Sequence, residues 1–207
     1  MINSELKSYI ENNIFPEYSK NEEGHGIKHI NMVIERSMKL SKGYDVDLNM
    51  VYVIAAYHDI GHHIDRKNHE KVSAEMMFED KKLEKWFSDE ERKTIKEAIE
   101  DHRASLDREP RSIYGKIISS ADRTIIDIDN IIRRTYLYGK EHEKDYSHEQ
   151  LVNRVHKHLT EKYGENGYAK CYIKDEEYEN AINKLRESLK DKEKFLKRVE
   201  DVVRELR

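Results

Sequence analysis

A histidine and an aspartate, His58 and Asp59, stand side by side directly after the most apolar stretch of the chain. The stretch, residues 51–56 (VYVIAA), carries no charge, so the pair is expected at the wall of a hydrophobic core. Imidazole and carboxylate groups are both ligands of divalent metal ions. Because burying such groups without a partner costs free energy, the pair predicts a metal ion or another compensating partner at this wall.

Two further residues of ligand type lie far from this pair in the sequence. His29 follows Gly26 near the start of an earlier apolar-periodic segment, and Asp122 lies in the later segment ISSADR. A histidine, a His-Asp pair and a distant aspartate on separate helices resemble the metal ligands of the HD-domain superfamily. The segment HEKVSAE that begins at His69 adds to this resemblance, which covers about residues 25–135.

The resemblance implies an all-α, metal-dependent phosphohydrolase. It implies that one divalent ion, Mn, Fe, Ni, Co, Zn or Mg, is held by His29, His58, Asp59 and Asp122. Such an ion lowers the pKa of a bound water and neutralises charge on a phosphoryl oxygen. The predicted reaction is therefore attack of a metal-bound hydroxide, oriented by Asp59 or Asp122, on the phosphorus of a nucleotide or another small phosphorylated metabolite.

Two more histidines, His69 and His102, have two possible roles. In families that this chain resembles, histidines at these places bind a second metal or hold the substrate phosphate. The position of Arg103 next to His102 favours the phosphate role, and Arg103 and Arg123 are predicted to donate charge-assisted hydrogen bonds to phosphate oxygens. A second metal is the alternative, and plain capping or surface histidines are a third interpretation.

The residues after the His-Asp pair are candidates for proton transfer. The motif HDIGH resembles the start of the deoxynucleoside triphosphate triphosphohydrolase motif, and the longer segment resembles one in the helical domain of exopolyphosphatases. His62 or Asp65 is therefore predicted to be a general acid or base at the mouth of the site, or else an exposed loop residue. His25, four residues before the first ligand, is predicted to have a role in the pocket, and the role of His63 stays open.

Other functions are compatible with the same motif. One is a ligand-binding or regulatory module that keeps the HD fold with little turnover. Another is an oxygenase with two irons, which would need His69 and His102 as ligands. The chain also departs from the superfamily, with Met32 in place of a basic residue and Ser120 in place of an acidic one. These departures weaken any inference of this chain's substrate from the substrates of the superfamily.

The composition agrees with a compact enzyme. A chain of 207 residues is long enough for one core with an appended subdomain. The net charge of −4 argues against general binding to nucleic acid or to a membrane surface. One cysteine, no apolar run of membrane-spanning length and no secretory signal together predict a cytoplasmic protein.

The apolar periodicity predicts an HD-type bundle of about five or six core helices with additional C-terminal helices. The predicted helices are 4–13, 25–41, 47–59, 69–86, 88–105, 112–138, 147–163 and 174–207, and the sixth is apolar through Ile125 and Ile126. We divide the chain into an HD core, 1–138, and a C-terminal extension packed on it, 139–207. Near-heptad apolar spacing in the last helix predicts packing on its own domain or, alternatively, a homodimer through the C-terminal helices.

Overall fold

The structure, a computed structural model, describes residues 1–123 and 127–206, and in these ranges it is all-α. Its α-helices are α1 (Ser4–Asn13), α2 (Ile27–Leu40), α3 (Leu48–Tyr57), α4 (His69–Glu79), α5 (Asp89–Glu100), α6 (Ile113–Asp122), α7 (Ile128–His142), α8 (His148–Tyr163), α9 (Glu176–Lys190) and α10 (Lys192–Val203). Short 3-10 turns lie at Phe15–Lys20, Glu23–His25, Lys81–Lys85 and Arg204–Leu206. The predicted fold class is confirmed. Across the described ranges, none of the helices has the length and apolar composition needed to cross a bilayer.

Contacts group the described residues into two compact units. The first contains residues 1–123 together with the short segment 171–174. The second contains residues 127–170 and 175–206. The division into domains 1–138 and 139–207 stays a prediction. All of the residues predicted to form the site belong to the first unit.

Helix α3 is the centre of the first unit. Every residue from 50 to 57 is buried, as expected for a helix that is apolar on all sides. It packs against α2, α5 and α6, and Asp47 caps its first turn by accepting a hydrogen bond from the backbone of Asn49. The chain therefore leaves α3 inside the unit, and His58 and Asp59 are buried at its end.

The turn after α3 lies directly against the start of α4. The backbone N–H of Gly61 donates to Ser73 Oγ at 2.9 Å. A Cβ atom on Gly61 would lie 2.6 Å from Val72 Cγ1 and 2.9 Å from the backbone nitrogen of Ser73. Glycine permits this approach because it has no side chain, and the approach brings the N-terminus of α4 alongside Asp59.

We expect Gly61→Ala to lower the free energy of unfolding by about 1–3 kcal/mol, since the added methyl group would overlap the start of α4. Urea denaturation measures the change. Lys7→Ala is the control, because it introduces the same residue at a position of α1 where the side chain is 54% exposed. A substitution at such an exposed position removes no buried contact, so the control should stay within about 0.5 kcal/mol of the wild type. Equal stability of both variants would contradict the close approach.

The predicted helix 112–138 is wrong as a single element. Helix α6 ends at Asp122 with Arg123 as its C-cap, and α7 begins at Ile128. The reason is Asp127, whose carboxylate accepts hydrogen bonds from the first free N–H groups of α7, those of Asp129 and Asn130. The predicted helical positions Ile125 and Ile126 lie outside the described residues.

The second unit packs α8 against α7, α9 and α10. The segment 174–207, predicted as one helix, contains two helices, α9 and α10. The predicted helix breaks at Asp191, which caps α10 by accepting a hydrogen bond from the backbone N–H of Lys194. Arg207 lies outside the described residues. The apolar stripe is largely buried within this unit, through Tyr178, Ile182, Leu185, Leu189, Val199 and Val203. The homodimer stays a prediction.

Candidate metal centre

Five segments of the first unit bring six side chains of ligand type together. The first lies in α2, two follow α3, one begins α4, one follows α5 and one ends α6. These residues are His29, His58, Asp59, His69, His102 and Asp122. The four residues predicted as metal ligands are thus close to one another, and the two further histidines are close to Asp59.

One oxygen of Asp59 faces two of the predicted ligands. Asp59 Oδ2 lies 3.5 Å from His58 Nε2 and 3.7 Å from His29 Nε2. Asp122 is on the same side, with its Oδ1 3.1 Å from His29 Nε2 and 3.8 Å from His58 Nε2. Two atoms bound to one tetrahedral metal ion lie about 3.4 Å apart, because each bond is about 2.1 Å long. These separations therefore suit a shared cation.

The other oxygen of Asp59 faces the second pair of histidines. Asp59 Oδ1 lies 3.4 Å from His69 Nε2 and 3.4 Å from His102 Nε2. The two Nε2 atoms are 3.1 Å apart. All three ligand atoms lie within 4.8 Å of one another, so this triangle is a second group that could hold an ion.

Three of these histidines are oriented by the same local contact. The Nδ1 atom of each lies close to the backbone carbonyl oxygen three residues earlier: His58 at 2.9 Å, His69 at 3.0 Å and His102 at 2.6 Å. A carbonyl oxygen accepts only, so Nδ1 carries the proton and donates it. In the neutral ring Nε2 then carries a lone pair on the side that faces Asp59, as a metal ligand requires.

The buried polar atoms at the centre fit a bound cation. Within the described part of the chain, His58 Nε2 and Asp59 Oδ1 are buried and make no hydrogen bond. Each such atom costs about 1–3 kcal/mol when it is left unsatisfied. A divalent ion would satisfy both, and the mixed nitrogen and oxygen donor set suits Mn, Fe, Co, Ni or Zn.

The protonation states also favour metal binding. Burial lowers the pKa of His58 to about 4, and burial together with nearby His102 lowers the pKa of His69, so both are neutral at pH 7. Burial acts to raise the pKa of Asp59, but His58 and His102 outweigh it and hold that pKa well below its usual range. Burial acts to lower the pKa of His102, yet the Asp59 carboxylate outweighs burial and raises it. A cation at the second group would therefore compete with a proton for His102.

Two further histidines complete a closed ring of imidazoles around Asp59. His25 and His62 stack with ring centroids 3.9 Å apart and an interplanar angle of 16°. His25 lies 5.8 Å from His29, and His62 lies 5.2 Å from His69, between centroids. In order, the ring of six is His25, His29, His58, His102, His69 and His62. His62 is therefore next to the ligand cluster without belonging to either group that shares Asp59.

Asp65 and Arg103 hold the start of α4 in place. Asp65 accepts hydrogen bonds from the backbone of Lys67 at 2.9 Å and from the side chain of Asn68 at 2.9 Å. Arg103 Nη1 donates to the carbonyl of Lys67 and lies 3.3 Å from Glu70 Oε2. These contacts position the turn that leads to His69. The catalytic role of Asp65 and the substrate role of Arg103 stay predictions.

Arg123 is buried beneath a segment from much later in the chain. Its guanidinium donates to Ser119 Oγ and, at 3.2 Å, to the carbonyl of His102. The ring of Tyr172 lies 6.0 Å above it, and the backbone N–H groups of Tyr172 and Ile173 donate to the hydroxyl of Ser120, two residues before Asp122. Arg123 thus links α6 to the backbone of His102, and its substrate role stays a prediction.

Sequence reasoning missed two residues that position the site. Asp101 accepts hydrogen bonds from Arg108 Nη2 and from the backbone of Arg111, both at 2.6 Å, and so fixes the loop that follows His102. Asn21 joins the segment before α2 to the turn after α3, since its Nδ2 donates to the carbonyls of His25 and Asp59 at 3.0 and 2.9 Å. Neither residue carries a local sequence signal, because their partners are known only once the chain has folded.

Comparison with known proteins gives two matches. The model of the HD domain family matches residues 26–127, a range that includes all six converging ligand-type residues. A solved structure, described as a predicted HD superfamily hydrolase from an uncultured Thermotogales bacterium, is similar at 20% sequence identity and a TM-score of 0.48. The similarity covers 75% of this chain and 84% of that one. No curated protein matches the chain.

Proposed function

Because residues 26–127 of this chain are an HD domain, we propose that the protein is a metal-dependent phosphohydrolase that acts on a nucleotide or another small phosphorylated metabolite. The observation that carries the proposal is Asp59, whose two oxygens face two different pairs of histidines. A carboxylate placed in this way suits a site for two cations. Such sites stabilise the attacking and leaving oxygens of a displacement at phosphorus.

We assign His69 and His102 to a second cation rather than to the substrate phosphate that the sequence favoured. Both Nε2 atoms lie 3.4 Å from an anionic carboxylate oxygen of Asp59. A phosphate bound between them would meet that negative charge at close range and be repelled. A cation would instead be attracted by it. Phosphate binding by these two histidines is the alternative, and the metal content and KM of His69→Ala distinguish the two roles.

The chain's own residues then have distinct roles. When bound, the cations supply a coordinated water of lowered pKa and neutralise charge on phosphoryl oxygens. Asp59 would hold both cations, since one of its oxygens faces each pair of histidines. His62 is the imidazole beside the cluster, and we assign it the transfer of a proton to the leaving oxygen. Burial lowers its pKa, so the ring is neutral at pH 7 and would first accept the proton that the attacking water loses, then pass it to the leaving oxygen.

Turnover tests the proposal. The protein, loaded in turn with Mn, Fe, Co, Ni, Zn or Mg, is assayed for release of phosphate or pyrophosphate from nucleoside phosphates, phosphomonoesters and inorganic polyphosphate. We expect hydrolysis of at least one class that depends on the added ion and stops when a chelator removes it. If protein that carries its full metal content hydrolyses none of them, the ligand-binding module becomes the better interpretation.

An oxygenase with two irons is the second candidate. Each group at Asp59 contains two histidines and one carboxylate, a combination that also occurs in non-haem iron oxygenases. The two functions differ in their dependence on metal and oxygen. Hydrolysis supported by Zn or Mg under anaerobic conditions favours the phosphohydrolase, whereas activity restricted to Fe with uptake of dioxygen favours the oxygenase.

A further inference from the structure

A third group of ligand-type side chains lies beside the Asp59 cluster. It consists of Glu22, His25 and His62, each of which offers a ligand atom within 4.8 Å of the others. Glu22 Oε1 lies 2.9 Å from His25 Nδ1, and the ring of His25 stacks on that of His62. Two histidines and one glutamate form the ligand set of several hydrolytic zinc sites.

The surrounding backbone holds this group together. The side chain of Asn21 donates to the carbonyl of His25, next to Glu22 in space, and to the carbonyl of Asp59. Its Oδ1 accepts from the backbone N–H of His63 at 3.1 Å. One residue therefore ties the segment that carries Glu22 and His25 to the turn that carries His62. These hydrogen bonds therefore hold the two segments, and the three side chains on them, next to one another.

We propose that Glu22, His25 and His62 bind a third divalent cation, more weakly than the pair at Asp59 is bound. Imidazole ligands favour Zn, Mn, Co, Ni or Fe over Mg. Binding of this third cation does not depend on the proposed function. Its effect on turnover does rest on the proposed function. Because His62 transfers a proton in that function, a cation that occupies its ring nitrogen would inhibit the enzyme.

Three features make this site weaker than the other two. The side chains of Glu22 and His25 are 45% and 17% exposed, so water competes for them. The lone pairs of His25 and His62 lie in the planes of two stacked, almost parallel rings, so one ring must turn for both to point at the same ion. Arg66 Nη1 also lies 3.4 Å from Glu22 Oε2 and places a positive charge beside the site.

Two substitutions with opposite expected effects test the proposal. Zn²⁺ is titrated calorimetrically into metal-free wild type, Glu22→Gln and Arg66→Gln, with a chelator competition to resolve the tight sites. We expect the wild type to bind two ions tightly and a third more weakly. Glu22→Gln should weaken the third site about tenfold or more, because it loses its only charged ligand. Arg66→Gln should tighten it about threefold, because a nearby positive charge is removed.

An unchanged third site in both variants, or a wild type that binds no third ion, would overturn the proposal. Asp59→Asn separates this outcome from failure of the proposed function, since it removes the ligand shared by the other two sites. In that variant, with its fold checked by circular dichroism, we expect a weak Zn²⁺ site that Glu22→Gln abolishes. A metal-loaded wild type that keeps the third site but hydrolyses no phosphate compound would refute the function and leave the third site in place.

If the protein hydrolyses a phosphate compound, the third site also has a kinetic signature. Excess Zn²⁺ should inhibit the wild type, and Glu22→Gln should move the inhibition to at least about tenfold higher concentrations of Zn²⁺, in parallel with the weakened binding. Inhibition at the same Zn²⁺ concentration in both proteins would contradict the link between this site and His62.

Discussion

Asp59→Asn should empty both cation positions at the centre and reduce hydrolysis by about three orders of magnitude or more. The amide has the shape of the carboxylate but no negative charge, and it can offer only one oxygen. Since each oxygen of Asp59 faces a different pair of histidines, one substitution removes a ligand from both groups. Metal analysis by mass spectrometry of the purified protein, beside steady-state kinetics, measures both effects.

Asp45→Asn is the matched control, because it makes the same chemical change at an exposed position between α2 and α3. It should keep the metal content and activity of the wild type.

Asp65→Asn belongs in the same series, since a loss of kcat without a loss of metal would support its predicted catalytic role. A full metal content in Asp59→Asn would show that this aspartate does not ligate the ions.

His69→Ala should remove about one equivalent of metal and lower kcat by about a hundredfold or more, if His69 and His102 hold a second cation. Its imidazole contributes one of the three ligand atoms in that group. The first group, which contains His29 and His58, should keep its ion. The measurements are metal content per chain, kcat and KM.

The phosphate role gives a different result. In that case His69→Ala keeps all of its metal and chiefly raises KM, because the lost contact is one made already in the ground state. His142→Ala, at an exposed position of α7, is the control for replacing a histidine and should change none of the three quantities. Full metal content with a raised KM would return His69 and His102 to the role that the sequence favoured.

The ligand order and the central helix could be predicted because their signals are local. The apolar run before His58 is enough to predict a buried helix. The resemblance of the His-Asp pair to the HD motif likewise depends on residues that are adjacent in the sequence. The roles of His69 and His102 could not be chosen in the same way. What favours a cation there is that both face one oxygen of Asp59, a distance relation between segments that lie far apart in the chain.

Helix ends were predicted less well than helix interiors. Asp127 and Asp191 interrupt segments whose apolar spacing continues on both sides, so periodicity favoured one long helix in each case. A capping carboxylate can begin a new helix inside a periodic segment. It does so by accepting hydrogen bonds from the first backbone N–H groups, which have no partner within the helix. At Asp191, an aspartate followed by good helix formers was the available signal. The cytoplasmic location, the homodimer and the lack of general nucleic-acid binding stay predictions.

The short segment 171–174 has a consequence for how the protein is made. Tyr172 and Ile173 bond to Ser120, which precedes them by 52 and 53 residues, and Tyr172 covers Arg123. During translation the helix that carries Asp122 leaves the ribosome well before these partners are synthesised, whereas most of the first unit can fold as it emerges. A chain that ends at residue 138 would contain every ligand residue but would lack Tyr172 and Ile173, which pack on the end of α6. The end of α6 should therefore acquire its native packing late in synthesis.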